Sequence, residues 1–198
     1  MPTLKKLHYL LIAAIAAMAV TVHAQADMYK GYEMPPFAVE HSDGQFEIRR
    51  YDPHLVAEVA VTGNRGAAIG TGFRILADYI YGGNAQAQRV TMTVPVTQTR
   101  EYGHWTVRFM MPAAYDKDAL PKPNNAAIRF IETAPERHAV IRFNGIAGSD
   151  TLASRADDLM AYVEAEGLEP TGSPRFHFYD DPFTLPWKRR NEVSMPIR

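Results

Sequence analysis

The 198-residue chain contains no cysteine. Disulfides, thiolate metal sites and an N-terminal lipid-modified cysteine are therefore excluded, and the fold must rest on its apolar core alone. A surplus of basic charge is also missing, since 21 lysines and arginines face 22 acidic residues. No broad positive field exists to collect nucleic acid or an anionic membrane. Catalytic signatures are absent too: there is no Gly-x-Ser-x-Gly elbow, no phosphate-cradling glycine loop and no EF-hand spacing. Asp157-Asp158 reads as a solvated helix face and Asp180-Asp181, before Pro182, as a turn. No acid/base pair suited to catalysis emerges.

Long apolar runs are confined to the N-terminus. Lys5-Lys6 precedes an apolar stretch from Leu7 to Val22, and Ala24-Gln25-Ala26 forms a small-x-small cleavage site before Asp27. The pattern is that of a secretory signal peptide over residues 1–26, the run being short for a bilayer span. The expected mature domain, residues 27–198, carries 19 basic and 22 acidic residues. It is expected in the periplasm or outside the cell, as a monomer or weak dimer with no stable membrane anchor and no nucleic-acid partner.

What the sequence does contain is a weak internal repeat. Pro53 and Gly63 recur as Pro135 and Gly145, an offset of 82 residues in both cases. Each glycine follows an apolar strand pattern and precedes a helical stripe: Ile69, Phe73, Leu76 and Ile80 in one copy, Leu152, Ala156, Leu159 and Val163 in the other. Both stripes follow i, i+4, i+7, i+11. The elements read as an extended lead-in from Asp27 to Glu40, strands at Phe46–Tyr51 and Leu55–Val61, and a helix over Ala67–Tyr81. A strand pair at Val90–Val96 and Trp105–Met111 follows, then strands at Ile128–Glu132 and His138–Phe143 and a helix over Asp150–Glu166. Arg175–Tyr179 and Asn191–Ile197 supply the last strands. Eight strands and two helices predict an α+β fold: a duplicated, pseudo-twofold, distorted antiparallel β-barrel with a helix on each half. The seam between halves is a natural ligand position.

Several strings then resemble the SOUL/haem-binding protein family: Phe46-Glu47-Ile48-Arg49-Arg50-Tyr51, Gly72-Phe73-Arg74, Tyr79-Ile80-Tyr81-Gly82, Met92-Thr93-Val94-Pro95-Val96, Trp105 to Pro112, and Arg189-Arg190-Asn191-Glu192-Val193. Their order and spacing agree with the family across nearly the whole mature domain. The resemblance implies a barrel akin to bacterial effector-binding domains. It also implies non-enzymatic binding of haem or another tetrapyrrole in an apolar groove beside the first helix, as carrier or buffer.

A porphyrin is a flat apolar plate with two carboxylates on one edge. Ile69, Phe73 and Leu76 offer apolar surface, and Gly70, a costly helix-interior residue at about 1 kcal/mol against alanine, could let a plate approach the backbone. Close packing of helix on sheet is the other explanation for the glycines of this helix. Lys188 matches the family position thought to face the carboxylates, with Arg74 as a second cation. The position where some relatives carry an iron-ligating histidine holds Arg50, which cannot ligate. His41 and His54 are the remaining candidates for a metal, and neither has a partner at metal spacing. Two other readings stay open: a binding module for another hydrophobic small molecule, and an enzyme acting on a tetrapyrrole. Pro182-Phe183-Thr184-Leu185-Pro186-Trp187 reads as a rigid aromatic loop closing the barrel.

Overall fold

A computed structural model describes residues 27–198, so the expected signal peptide lies outside the described residues. The chain opens with a two-stranded ribbon, β1 (Met28–Tyr29) and β2 (Tyr32–Glu33), then β3 (Phe37–Asp43), β4 (Phe46–Tyr51) and β5 (Leu55–Val61). Helix α1 (Arg65–Ile80) starts where the Asn64 side chain accepts from the Ala67 N–H at 3.0 Å. Next come β6 (Val96–Glu101) and β7 (His104–Met110), joined by Tyr102-Gly103 with φ of 50° and 84°, a geometry suited to a two-residue hairpin. The second half supplies β8 (Arg129–Glu132), β9 (Glu136–Asn144), α2 (Ser149–Ala165), β10 (Arg175–Phe178), a short 3-10 turn (Pro186–Lys188) and β11 (Arg190–Ile197).

Nine strands, β3 to β11, form one curled antiparallel sheet in the order β3-β4-β9-β11-β10-β6-β7-β5-β8. Leaving aside β3, the order is a palindrome of the repeat. β9-β11-β10 of the second copy mirrors β5-β7-β6 of the first, and the first strand of each copy (β4, β8) is exchanged onto the other. The pseudo-twofold passes between β6 and β10, whose pairing joins the halves. The edges β3 and β8 do not meet, so the expected barrel is a half-barrel.

Two elements differ from expectation. Val90–Val96 is irregular up to Pro95, and the strand begins at Val96. The spaced valines mimic strand alternation, but Pro95 has no N–H for a ladder, and Val90 and Val94 are buried by packing. The lead-in, conversely, contains β3, which covers the edge of β4.

Alternation sorts the two faces of the sheet. On one, Leu76, Tyr79 and Ile80 of α1 pack on Leu55, Ala57, Val59, Val107 and Phe109. On the same face of the other half, Leu152, Leu159 and Val163 of α2 pack on Ala139, Ile141, Val193 and Met195. Gly72 is required by this packing: a Cβ there would stand 2.6 Å from Val107 Cγ2.

The opposite, concave face is polar and built around one carboxylate. Glu192, fully buried, receives Arg49 Nη1 at 2.8 Å and Nη2 at 3.0 Å, Arg190 Nη2 at 2.7 Å and Nε at 2.9 Å, and the Tyr179 hydroxyl at 2.8 Å. Arg49 also donates to Glu47 (2.6 Å) and Tyr51 (3.1 Å). Burial alone would raise the Glu192 pKa, but Arg49 and then Arg190 outweigh it and hold the group at about 2. Burial lowers His177 to about 3 and also depresses His138.

Two outcomes are expected. Gly72→Val should lower stability by about 1–3 kcal/mol through overpacking. Gly70→Ala, whose new methyl would meet only Arg74 Nη1 at 3.7 Å, should raise it by about 0.5–1 kcal/mol; thermal melts separate the two. Stability should also fall in two stages on acidification. Between about pH 6.5 and 3 the unfolded chain takes up protons that His177 and His138 refuse when folded. Between about pH 4.5 and 2 the folded-state advantage of ionised Glu192 is lost as it protonates. Glu192→Gln strands two buried guanidinium groups and should cost about 3–5 kcal/mol at pH 7 while flattening the lower limb. Urea unfolding at pH 7, 5 and 3 reads both effects.

Candidate functional site

Successive residues turn about 100° around a helix, so every fourth residue advances about 40°. On α1 the row Arg65, Ile69, Phe73, Ala77 therefore winds from the sheet-facing side toward the flank. Arg65 fixes which flank, because it reaches Gln98 of β6 and lies over Phe176 and Phe178 of β10. The other flank carries Tyr79, which packs on Phe130 of β8. Phe73 is thus expected on the side that turns toward the β6–β10 seam.

The sequence candidates separate accordingly. Phe73 is 42% exposed, with its ring edge-on to Phe109 at 5.4 Å. Ile69 is half-buried against the core beneath it. Gly70 borders open space apart from Arg74, so packing explains Gly72 and leaves Gly70 unexplained. Arg74 is exposed and donates to Thr71 at 3.2 Å. Leu76 is fully buried and belongs to the core beneath the helix.

Lys188 is exposed on the 3-10 turn, which is anchored to the end of β9 by the Gly145 N–H on the Pro186 carbonyl at 3.0 Å. No hydrogen bond or ion pair joins it to α1 among the described residues. His41 is exposed on edge strand β3, and His54 lines the concave face.

Arg65 is the residue that sequence reasoning missed. Its guanidinium lies 6.0 Å from the Trp105 ring, 5.9 Å from Phe176 and 5.8 Å from Phe178, and Nη2 donates to Gln98 at 2.9 Å. Among the described residues no carboxylate pairs with it and its buried Nε has no partner, and burial lowers its pKa. It occupies the first position of α1, whose first turn holds no acid and whose dipole end is already positive. An arginine directly after an Asn cap, where an acid is favoured, was the available signal.

The concave face holds a small cavity of about 60 Å³ that opens to solvent. Phe37, Val56, Pro95 and Met110 give it apolar walls, and Arg108, Glu136, Arg175 and three histidines line the rest. A chain of hydrogen bonds runs beneath it. Thr97 Oγ1 meets His177 Nδ1 at 3.1 Å, His177 Nε2 meets Ser194 Oγ at 2.7 Å, Ser194 Oγ meets His138 Nδ1 at 3.0 Å, and His138 Nε2 meets Glu136 at 3.2 Å. His54 Nδ1 donates to the Asp52 carbonyl at 2.9 Å, and burial lowers its pKa. Among the described residues no group of three His, Cys, Asp or Glu side chains is placed to hold a metal ion.

The aromatic loop after β10 does not close the sheet. It is stiffened by Asp181, which accepts from the Phe183 and Thr184 N–H groups, and by Arg189, which donates to the Thr184 and Pro182 carbonyls. Yet Phe183 and Trp187 project outward, 94% and 68% exposed.

Similar proteins share the fold and the sequence pattern. The C-terminal domain of EcmrR superposes with a TM-score of 0.62 at 16% identity, covering 78% of this chain and 97% of that one. A structure described as a hydrolase from Listeria innocua gives 0.59 at 10% identity, covering 80% and 94%. At these identities the likeness shows the fold alone. A mouse protein named Heme-binding protein 2 is 28% identical over 185 residues, 86% of this chain and 88% of its own length. Its human namesake is 29% identical over 153 residues, 73% of each chain. The family model for SOUL heme-binding protein matches residues 32–196, and the chain belongs to that family.

Proposed function

We propose that this protein is exported and holds haem or a related tetrapyrrole on the outer flank of α1, as carrier or buffer, without altering it. The observation that carries the reading is Phe73, a large apolar side chain left 42% exposed one turn from Gly70, a glycine that no packing contact requires. A flat plate laid there would cover Phe73 and Ile69 and extend toward the aromatic surface of Trp105, Phe176 and Phe178 around Arg65. Covering such area contributes roughly 25 cal/mol per Å².

The residues fit the other half of the ligand as well. Arg65 and Arg74 lie on the same helix without acidic partners among the described residues, and Lys188 is a third free cation; each is suited to a carboxylate. The two histidines suggested for iron stand elsewhere, His41 on an edge strand and His54 on the concave face. Retention then rests on burial and stacking in place of a strong axial bond. The histidine with Ser194 and Glu136 around it resembles a hydrolytic array only in composition. Ser194 is fully buried and its oxygen is shared by two imidazoles, so no substrate carbonyl can reach it.

Hemin titrated into the mature protein should give a saturable Soret shift near one equivalent, and Phe73→Asp should weaken it at least tenfold with the melting temperature retained. Unchanged affinity in Phe73→Asp would remove α1 from the site. Arg65→Gln and Lys188→Glu should weaken hemin more than its dimethyl ester; equal losses for both ligands would dismiss the carboxylate pairing.

A further inference from the structure

We propose that the stiff aromatic loop between β10 and β11 seats the protein, reversibly, on the surface of a lipid bilayer. Phe183, Leu185 and Trp187 are all exposed, three large apolar side chains within one short loop. Exposed Ile146 adds a fourth from the turn after β9, which the Gly145 N–H ties to the Pro186 carbonyl at 3.0 Å. Single exposed apolar residues are ordinary on a protein surface, whereas a group of them marks a contact. A side chain 94% exposed has almost no neighbours, so Phe183 marks a projecting tip and not the wall of a groove.

The backbone of the loop is what favours a lipid over a protein partner. An apolar phase withdraws water and returns no hydrogen bonds, so a segment that enters it must satisfy its own polar groups. This loop largely does. Pro182 and Pro186 have no N–H, Asp181 takes the N–H groups of Phe183 and Thr184, and the Leu185 carbonyl takes that of Lys188. The Pro182 and Thr184 carbonyls accept from Arg189, and the Pro186 carbonyl from Gly145. The same bonds fix the loop before contact, so little conformational freedom is lost on binding. Trp187 and Lys188 suit a headgroup boundary, an amphipathic ring beside a cation on a flexible stem. From Asp181 to Arg189 there are one acid and two bases, so the attraction rests on apolar contact and little on charge. The chain also enters the domain on this side. The β1–β2 ribbon, directly after the expected signal peptide, is pinned to the foot of the loop by Tyr29 and Lys30 on Asp180.

The test is co-sedimentation of the mature protein with phosphatidylcholine vesicles, read alongside tryptophan emission. Binding should be reversible and half-complete at roughly 0.1–1 mM lipid, about the strength of one acyl chain. Trp105 is buried and Trp187 exposed, so a blue shift on adding vesicles should arise from Trp187. It should vanish in Trp187→Phe, which should keep most of the binding. Phe183→Ser and Trp187→Ser should each weaken sedimentation about three- to tenfold at unchanged melting temperature, and the double variant should abolish it. Tyr102→Ser, which removes the 96% exposed ring of the β6–β7 hairpin, should leave it intact. Raising NaCl from about 0.1 to about 1 M should change binding less than about twofold, because screening acts on charge. No sedimentation of the unaltered protein, sedimentation without a blue shift, full binding in the double variant, or a tenfold loss in high salt would each overturn the proposal. A lipid-free dimer that the double variant abolishes, with no vesicle binding, would assign the loop to a second copy of the chain and overturn it too. None of these outcomes depends on the α1 reading.

Discussion

The bidentate pair between Arg49 and Glu192 is the constraint around which the concave face is arranged. It links the first strand of the first repeat to the last strand of the second, 143 residues apart, with both side chains essentially inaccessible. Two ions in such a place are not in themselves a source of stability, since their desolvation rivals their attraction. What makes the arrangement tenable is the density of its pairing: Glu192 accepts five hydrogen bonds, and Arg49 makes two further ones, to Glu47 and Tyr51. The gain is register. A one-residue slip of β4 or β11 would turn one of these ions into the apolar layer beneath α2. The same carboxylate binds Arg190, whose guanidinium stacks on Tyr179 at 4.0 Å and touches Met34, so the N-terminal ribbon is tied in as well.

Fixing that register divides the molecule into two unlike surfaces. Apolar residues meet the helices on one, and paired ions and histidines fill the other. It also makes the departures from the pseudo-twofold informative. Leu76, Tyr79 and Ile80 of α1 correspond to Leu159, Tyr162 and Val163 of α2, all six buried. In the same alignment Phe73 and Arg74 fall on Ala156 and Asp157, and Gly70 on Ala153. The repeat keeps its core residues and loses the exposed ring, the bare glycine and the cation. The surface proposed for the tetrapyrrole on α1 therefore has no counterpart on α2.

Much of this was legible in the sequence because it is local. The two helices and the strands preceding them declare themselves through apolar period, and the repeat through Pro53/Pro135 and Gly63/Gly145. The errors arise where a local pattern serves two purposes. An i, i+4, i+7, i+11 stripe spans core and rim together, so Leu76 looked like Phe73 although one is buried and the other is not. The valines before Pro95 alternate as a strand would, while their burial comes from loop packing. The strand exchange, the Glu192 cluster and the position of Arg65 over Phe176 and Phe178 join residues far apart in sequence, and no periodicity reports such contacts.

The histidine chain has a direction, and the direction bears on what the protein can do. Glu136 is held ionised, chiefly by its hydrogen bond from His138, so His138 Nε2 must donate to it and Nδ1 must accept. Ser194 then gives its only proton to His138 and accepts from His177 Nε2, which leaves His177 Nδ1 to accept from Thr97. Every proton in the chain is assigned, and both imidazoles are neutral. Ser194 itself is fully buried within this chain. Catalysis by proton transfer needs a donor or acceptor left open toward a substrate. In this chain of hydrogen bonds each donor meets an acceptor, so the arrangement closes on itself among the described residues.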